Sequence, residues 1–263
     1  MQIKKEWNEK LALVQWHDLV KLSPIQRFIE LTVSLPWLIL SLLAAYFEWY
    51  VIALPSSFIF FLAGLRQVHN GFHGALGVSK QSTNWILWLN SILMFGAMHA
   101  VKYNHLLHHR HCLQENDIEG KSARMSAIKA LCYGPIFPLE LHYHALKNGD
   151  DETKKWVRFE LGAIALCYGV IFWIGPPLLV YHAIAMIIGE CLTAFFAVWT
   201  VHHHCDDDMP SRTLRGGWKN FLTYHMFYHM EHHLFPKVPT INLPKLAQRI
   251  DQEIPELKKK QVF

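Results

Sequence analysis

Two long stretches of this 263-residue sequence hold no lysine or arginine. Residues 31–65 contain one charged side chain, Glu48, and residues 159–201 contain two, Glu160 and Glu190. Charge is scarce overall, at 17% of residues against about 25% in an average soluble domain. Paired cysteines are also missing. The five cysteines (Cys112, Cys132, Cys167, Cys191 and Cys205) form no C-x-x-C motif, which argues against a zinc ribbon or a thioredoxin-type centre and leaves them as free thiols. There is no Gly-rich dinucleotide fingerprint, no internal repeat and no low-complexity tract. With 52% hydrophobic residues and a net charge of only +4, the chain is not disordered and has no nucleic-acid footprint.

What is present is apolar length. Each charge-poor stretch is long enough for two membrane crossings, since one span needs roughly 20 apolar residues. The first reads as spans over about 29–47 and 50–67, with a turn at Glu48–Trp49. The second reads as spans over about 160–175 and 178–200, broken at Gly175-Pro176-Pro177, where the proline pair cannot continue a helix. Soluble cores seldom run this far without Lys or Arg. Two hairpins leave both termini and the middle segment on one side. That side holds essentially all the basic residues, so the positive-inside rule makes it cytoplasmic.

A third apolar run, about 85–101, carries Asn90 and His99. A crossing there would divide the histidine clusters described next between the two faces of the membrane. It therefore reads as a re-entrant or interfacial helix covered by protein. Residues 102–158 and 202–263 read as a cap, with an amphipathic helix over Leu243–Ile254. The expected fold is one all-α membrane domain over 1–263: four transmembrane helices as two hairpins, plus a cytosolic helical cap.

Histidine is abundant, with 18 residues against 21 Asp and Glu together. Three clusters stand out: His69 with His73; His105 with His108 and His109; and His229 with His232 and His233. Residues at i, i+3 and i+4 share a helix face, so each cluster is expected to point its imidazoles one way. A fourth group, His202-His203-His204, ends the last span on the same side. Neutral imidazole binds Fe, Zn, Cu and Ni. The three clusters supply eight nitrogens and His202 a ninth, too many for one tetrahedral zinc and suited to two ions of higher coordination number.

The order and spacing of the clusters resemble the membrane fatty-acid desaturase superfamily, which also holds membrane hydroxylases and carotenoid ketolases. The likeness covers about residues 30–250. It is strongest in His202-His-His-Cys205, Ser211-Arg212-Thr213 and Tyr228-His229-Met-Glu-His232-His233-Leu-Phe-Pro236. The resemblance implies a mushroom-shaped molecule with a di-iron centre between stem and cap. The implied ligands are His69, His73, His105, His108, His109, His202, His229, His232 and His233. Two positions depart from the family pattern: Asn70 stands where Asp often follows the first histidine, and His225 precedes the third cluster by four residues.

The implied chemistry is O₂ activation followed by hydrogen abstraction from an unactivated C–H bond of a fatty-acyl or lipid substrate. A second hydrogen loss gives a double bond, the expected outcome; oxygen rebound gives an alcohol or ketone, the alternative on a lipid or carotenoid. With no dinucleotide or cysteine cluster of its own, the chain needs a separate electron donor of ferredoxin or cytochrome type, docked on a basic cytosolic face. Candidates to orient the imidazoles are Asp117 and Glu119, Asp206 to Asp208, Glu231, Asn70 and His225, with Glu190 in the fourth span able to line a tunnel. A metal transporter would place polar ligands near the bilayer midplane, and the clusters at one edge speak against it.

Overall fold

A computed structural model of the chain describes residues 5–206, 209–257 and 259–262. Among these residues the fold is all helical, with only two isolated β-bridges, Asp206 to Met209 and Thr213 to Gln261. Four helices are long and apolar enough to cross a membrane: Pro24–Tyr46, Tyr50–Phe72, Asp151–Ile174 and Pro177–His202. They form two hairpins. The first turns at Glu48, whose φ of 59° is left-handed, and the second at Gly175, with φ 63°. Lipid-facing side chains remain exposed, among them Val51, Leu166, Phe172 and Trp173.

The helices outrun the apolar stretches because polar caps and buried polar residues extend them. The first span starts at Pro24, held by a capping box in which Gln26 N–H donates to Ser23 Oγ and Ser23 N–H to Gln26 Oε1. It is interrupted at Val33–Ser34, ahead of Pro36, whose ring cannot accommodate the carbonyl four residues earlier. The third span begins where Asp150 caps it through Thr153 N–H at 2.8 Å. The second continues past residue 67 because Arg66, Gln67 and Asn70 are buried against protein partners. Arg66 pairs with Glu30 at 2.6 Å, and Asn70 donates to the other Glu30 oxygen at 2.8 Å while accepting from Thr240.

The run expected as a re-entrant or interfacial helix over about 85–101 is divided between the two arms of an elbow. Lys80–Met94 and Met98–His111 meet at 112°. Phe95 at the corner is left-handed (φ 59°), and Gly96 follows it. The corner's free backbone groups find specific partners. Ala97 N–H donates to His142 Nε2 at 2.8 Å, and Met98 N–H donates to Ser91 Oγ at 3.0 Å. Glu160, fully buried in the third span, accepts from Ser91 Oγ, His99 N–H and His99 Nδ1. Glu160, one of the two acidic residues of the second charge-poor stretch, is thus the clasp of the elbow.

Short helices make the cap: Glu119–Arg124, Ala127–Tyr133 and Phe137–Asn148, then His229–Leu234 and Leu243–Glu253. The last buries Leu243, Leu246, Ala247 and Ile250 against Val14, Leu19, Tyr228 and Phe235. The fourth span is π-helical over Ala194–Trp199, just before His202. Such wide turns recur at functional sites because they re-aim the residues that follow.

Candidate metal centre

The second span, the outer arm of the elbow, the end of the fourth span and the helix His229–Leu234 bring nine imidazoles together between stem and cap. They fall into two groups. In one, the ligand atoms of His69, His73, His105, His109 and His232 all lie within 4.8 Å of one another. In the other, the same holds for His108, Cys112, His202 and His233. His229 joins this second group, with Nε2 2.9 Å from that of His202 and 3.1 Å from that of His233. The clusters therefore do not each face one way. His105 and His109 go to one group and His108 to the other, and His232 separates from His229 and His233.

The nitrogen spacing tests whether a metal fits. In the first group Nε2 atoms stand 3.0 Å apart for His73 and His105, 3.1 Å for His105 and His109, and 3.0 Å for His109 and His232. In the second, His108 and His202 stand 3.1 Å apart. Two nitrogens each about 2.1 Å from one ion are about 3.0 Å apart at right angles and about 3.4 Å apart in a tetrahedron. The spacing matches coordination numbers above four.

Protonation gives an independent test. His105 Nδ1 bonds to Glu119, His108 Nδ1 to Asp117 (both 2.8 Å), and His202 Nδ1 to the Pro210 carbonyl at 2.7 Å. A neutral ring that donates through Nδ1 presents a bare lone pair at Nε2. The Nε2 atoms of His108 and His202 thus face each other across 3.1 Å, with room for one cation to be held by both. His69 Nε2 is buried without any hydrogen-bond partner beside the His232 and His105 rings. Burial holds His73 down at about 4, and burial together with neighbouring imidazoles holds His229, His232 and His233 well below the ordinary histidine value. All four rings are in the neutral form that metal binding requires. Burial pushes the Glu119 carboxyl up to about 7, and a cation bound through His105 would favour its charged form.

The other candidate residues take varied places. Among the described residues, Asp117 and Glu119 are the two carboxylates that touch ligand imidazoles. Asn70 ties Glu30 to Thr240 and reaches none of the nine rings; its bonds join first span, second span and cap. His225 stands apart with left-handed backbone (φ 64°), its ring against Tyr228 and its Nδ1 unpartnered. Glu231 is buried between Thr213 Oγ1 and Arg215 Nε. Asp206 pairs with Lys260, and Asp207 and Asp208 lie outside the described residues. Sequence reasoning missed the Pro210 carbonyl, which no side-chain pattern announces. It also read Cys112 only as a free thiol, although Cys112 lies four residues after His108, the same helical spacing that marks the ligands.

An apolar cavity reaches the centre. Its walls include Leu65, Phe72, Met98, Phe137, Phe196, Val201 and Phe227, together with His69, His105, His229 and His232. The π-helical turn supplies Phe196, Ala197 and Val198. Glu190 and Thr193 add polar groups to this lining. Glu190 has room because residue 96 is glycine: a Cβ there would sit 2.4 Å from Glu190 Oε1.

Residues 47–262 match the fatty acid desaturase family. Among curated proteins, the β-carotene ketolase of Paracoccus sp. (strain PC1) is 27% identical over 194 residues, covering 67% of this chain and 70% of the ketolase. No solved structure matches. With a match over most of its length and nine imidazoles gathered beneath a lipid-accessible stem, the chain belongs to the fatty acid desaturase family.

Proposed function

We propose that the protein is an O₂-dependent di-iron oxidoreductase that desaturates a long-chain fatty-acyl or lipid substrate. The observation that carries the reading is the apolar cavity with four of the nine imidazoles in its wall. Two iron ions, when bound, supply the O₂ activation and the removal of hydrogen from an unactivated C–H bond. His69, His73, His105, His109 and His232 would hold one ion, and His108, His202, His229 and His233 the other. Asp117, Glu119 and the Pro210 carbonyl fix ring orientation by taking the Nδ1 protons. Phe72, Phe137, Phe196 and Phe227 exclude water and set which carbon lies beside the imidazoles. Desaturation consumes O₂, two electrons and two protons and leaves an alkene and two waters.

Those electrons come from a separate ferredoxin- or cytochrome-type carrier, because the sequence holds no nucleotide fingerprint and no cysteine cluster. The basic residues concentrate in the cap, which suits an acidic carrier. By the same positive-inside reasoning the centre and both termini are cytoplasmic.

The likeness to a ketolase favours a second reading, in which oxygen is inserted into a lipid or carotenoid to give an alcohol or ketone. Expression in hosts of known lipid content, with and without a carotenoid supply, followed by mass spectrometry of total lipid, separates the two. A product lighter by two hydrogens is expected. A product that has gained oxygen selects the second reading. An unchanged lipid profile, with two equivalents of bound zinc and no dependence on iron, overturns both.

A further inference from the structure

We infer that Glu190 sets substrate specificity: its carboxyl, deep in the apolar cavity, hydrogen-bonds a hydroxyl group that the substrate carries away from the carbon that reacts. This rests on the function proposed above, in which the cavity holds the substrate. Other buried carboxylates of the molecule are met by protein donors. Glu30 accepts from Arg66, Asn70 and Ile241 N–H, Glu160 from Ser91 and His99, and Glu231 from Thr213 and Arg215. Glu190 differs. It lines the cavity wall, and no donor among the described residues reaches its carboxyl. A carboxyl in a membrane interior is costly unless it is hydrogen-bonded. Ligand pockets are built in this way, with apolar walls and a few polar groups that fix orientation.

The cavity walls lead from the histidines to this residue. On the outer arm of the elbow the lining steps from His105 through Val101 to Met98, and on the fourth span from Val201 through Thr193 to Glu190. Glu190 stands twelve residues before His202, or about 18 Å along a helix. Two glycines hold the carboxyl there. A Cβ on Gly189 would lie 2.7 Å from the Phe61 ring, so the second span fixes the rotation of the fourth. Gly96, which makes room for the carboxyl, has no left-handed backbone to require a glycine, so its lack of a side chain serves the space alone. Thr193 follows Glu190 on the same helix face. Its hydroxyl donates to the Gly189 carbonyl at 3.1 Å and leaves the oxygen as a second acceptor. A substrate hydroxyl suits this pair, because it can donate to a carboxyl oxygen in either protonation state. A chain without one leaves the carboxyl unpaired, and sites built for a hydroxyl reject such analogues.

Binding of radiolabelled hexadecanol and hexadecane to the purified, iron-loaded full chain in detergent tests this, with the micelle background subtracted. Hexadecanol is expected to bind about tenfold more tightly. The preference should disappear in Glu190→Leu and survive in Glu190→Gln, whose amide oxygen still accepts from a hydroxyl. Gly96→Ala, whose Cβ would take the carboxyl's place, should reduce it as well and decides the question where the leucine variant does not fold. A merely structural role for Glu190 would weaken both ligands together and leave their ratio unchanged. Equal binding of alcohol and alkane to wild type overturns the inference and leaves the cavity standing as the substrate site. An undiminished preference in Glu190→Leu or Gly96→Ala also overturns it. Binding of neither compound removes the cavity reading as well.

Discussion

Asp117 shows how much one side chain does in this site. It is buried and accepts from the His108 ring, from Leu113 N–H and from Gly120 N–H. Glycine is required at 120 because any Cβ there would sit 2.1 Å from the Asp117 carboxylate. Removing such an outer partner commonly weakens metal binding by about ten- to a hundredfold. Asp117→Ala should lower metal affinity by that much, read by chelator competition. Asp117→Asn, which keeps an acceptor oxygen but loses the charge, should fall between. Unchanged affinity in the alanine variant would mean that His108 is oriented by something else. Four of the remaining histidines have partners of a different kind. His99 binds Glu160, His142 the Ala97 N–H and Pro138 carbonyl, His144 the Asn104 side chain and His182 the Leu93 carbonyl. Their sequence contexts, outside any i, i+3, i+4 cluster, mark them as packing residues, and each joins two elements.

The helix Ala127–Tyr133 meets the fourth span at close range. A Cβ on Gly134 would lie 1.8 Å from the backbone carbonyl of Cys191, which cannot move without bending the span. Beside this contact Tyr133 and Phe137 pack on Ala194 and Val198 of the π-helical turn. Gly134→Ala should therefore cost about 3 kcal/mol, as overpacking of a rigid contact does, and lower the melting temperature of the detergent-purified chain. Gly169→Ala, in the third span with open space around it, should leave stability unchanged or raise it. The elements themselves were unevenly legible. Four spans could be read because their interiors lack Lys and Arg. Their polar ends could not, since capping by Ser23 and Asp150 lies outside any apolar count. The elbow was hidden because its clasp, Glu160, is 69 residues from Ser91. Eight imidazoles could be named from helical spacing, and His202 from its place at the end of the last span and from the family resemblance. Their division into two groups could not, because His108 and His109 are adjacent in sequence yet serve opposite sides of the centre.

The molecule as a whole is held in register by a buried network at the foot of the stem. Glu30 from the first span binds Arg66 and Asn70 from the second, and also accepts from Ile241 N–H in the cap. Both members of the Glu30–Arg66 pair are nearly inaccessible, so removing one alone leaves an uncompensated charge. Orientation in the membrane is checked with thiol reagents. A membrane-impermeant reagent should label Trp49→Cys and Trp173→Cys from outside intact cells, and native, exposed Cys132 only after permeabilisation. The reverse pattern would place the histidine centre on the outer face. One feature of the centre also sets a timetable. Its imidazoles are spread from residue 69 to residue 233, beyond all four spans, so neither group is complete until the helix His229–Leu234 has been synthesised and docked. Membrane insertion must therefore precede closure of the centre. While it waits, the growing chain carries incomplete clusters of imidazole at the membrane edge, with His69, His73, His105 and His109 of the first group still without His232.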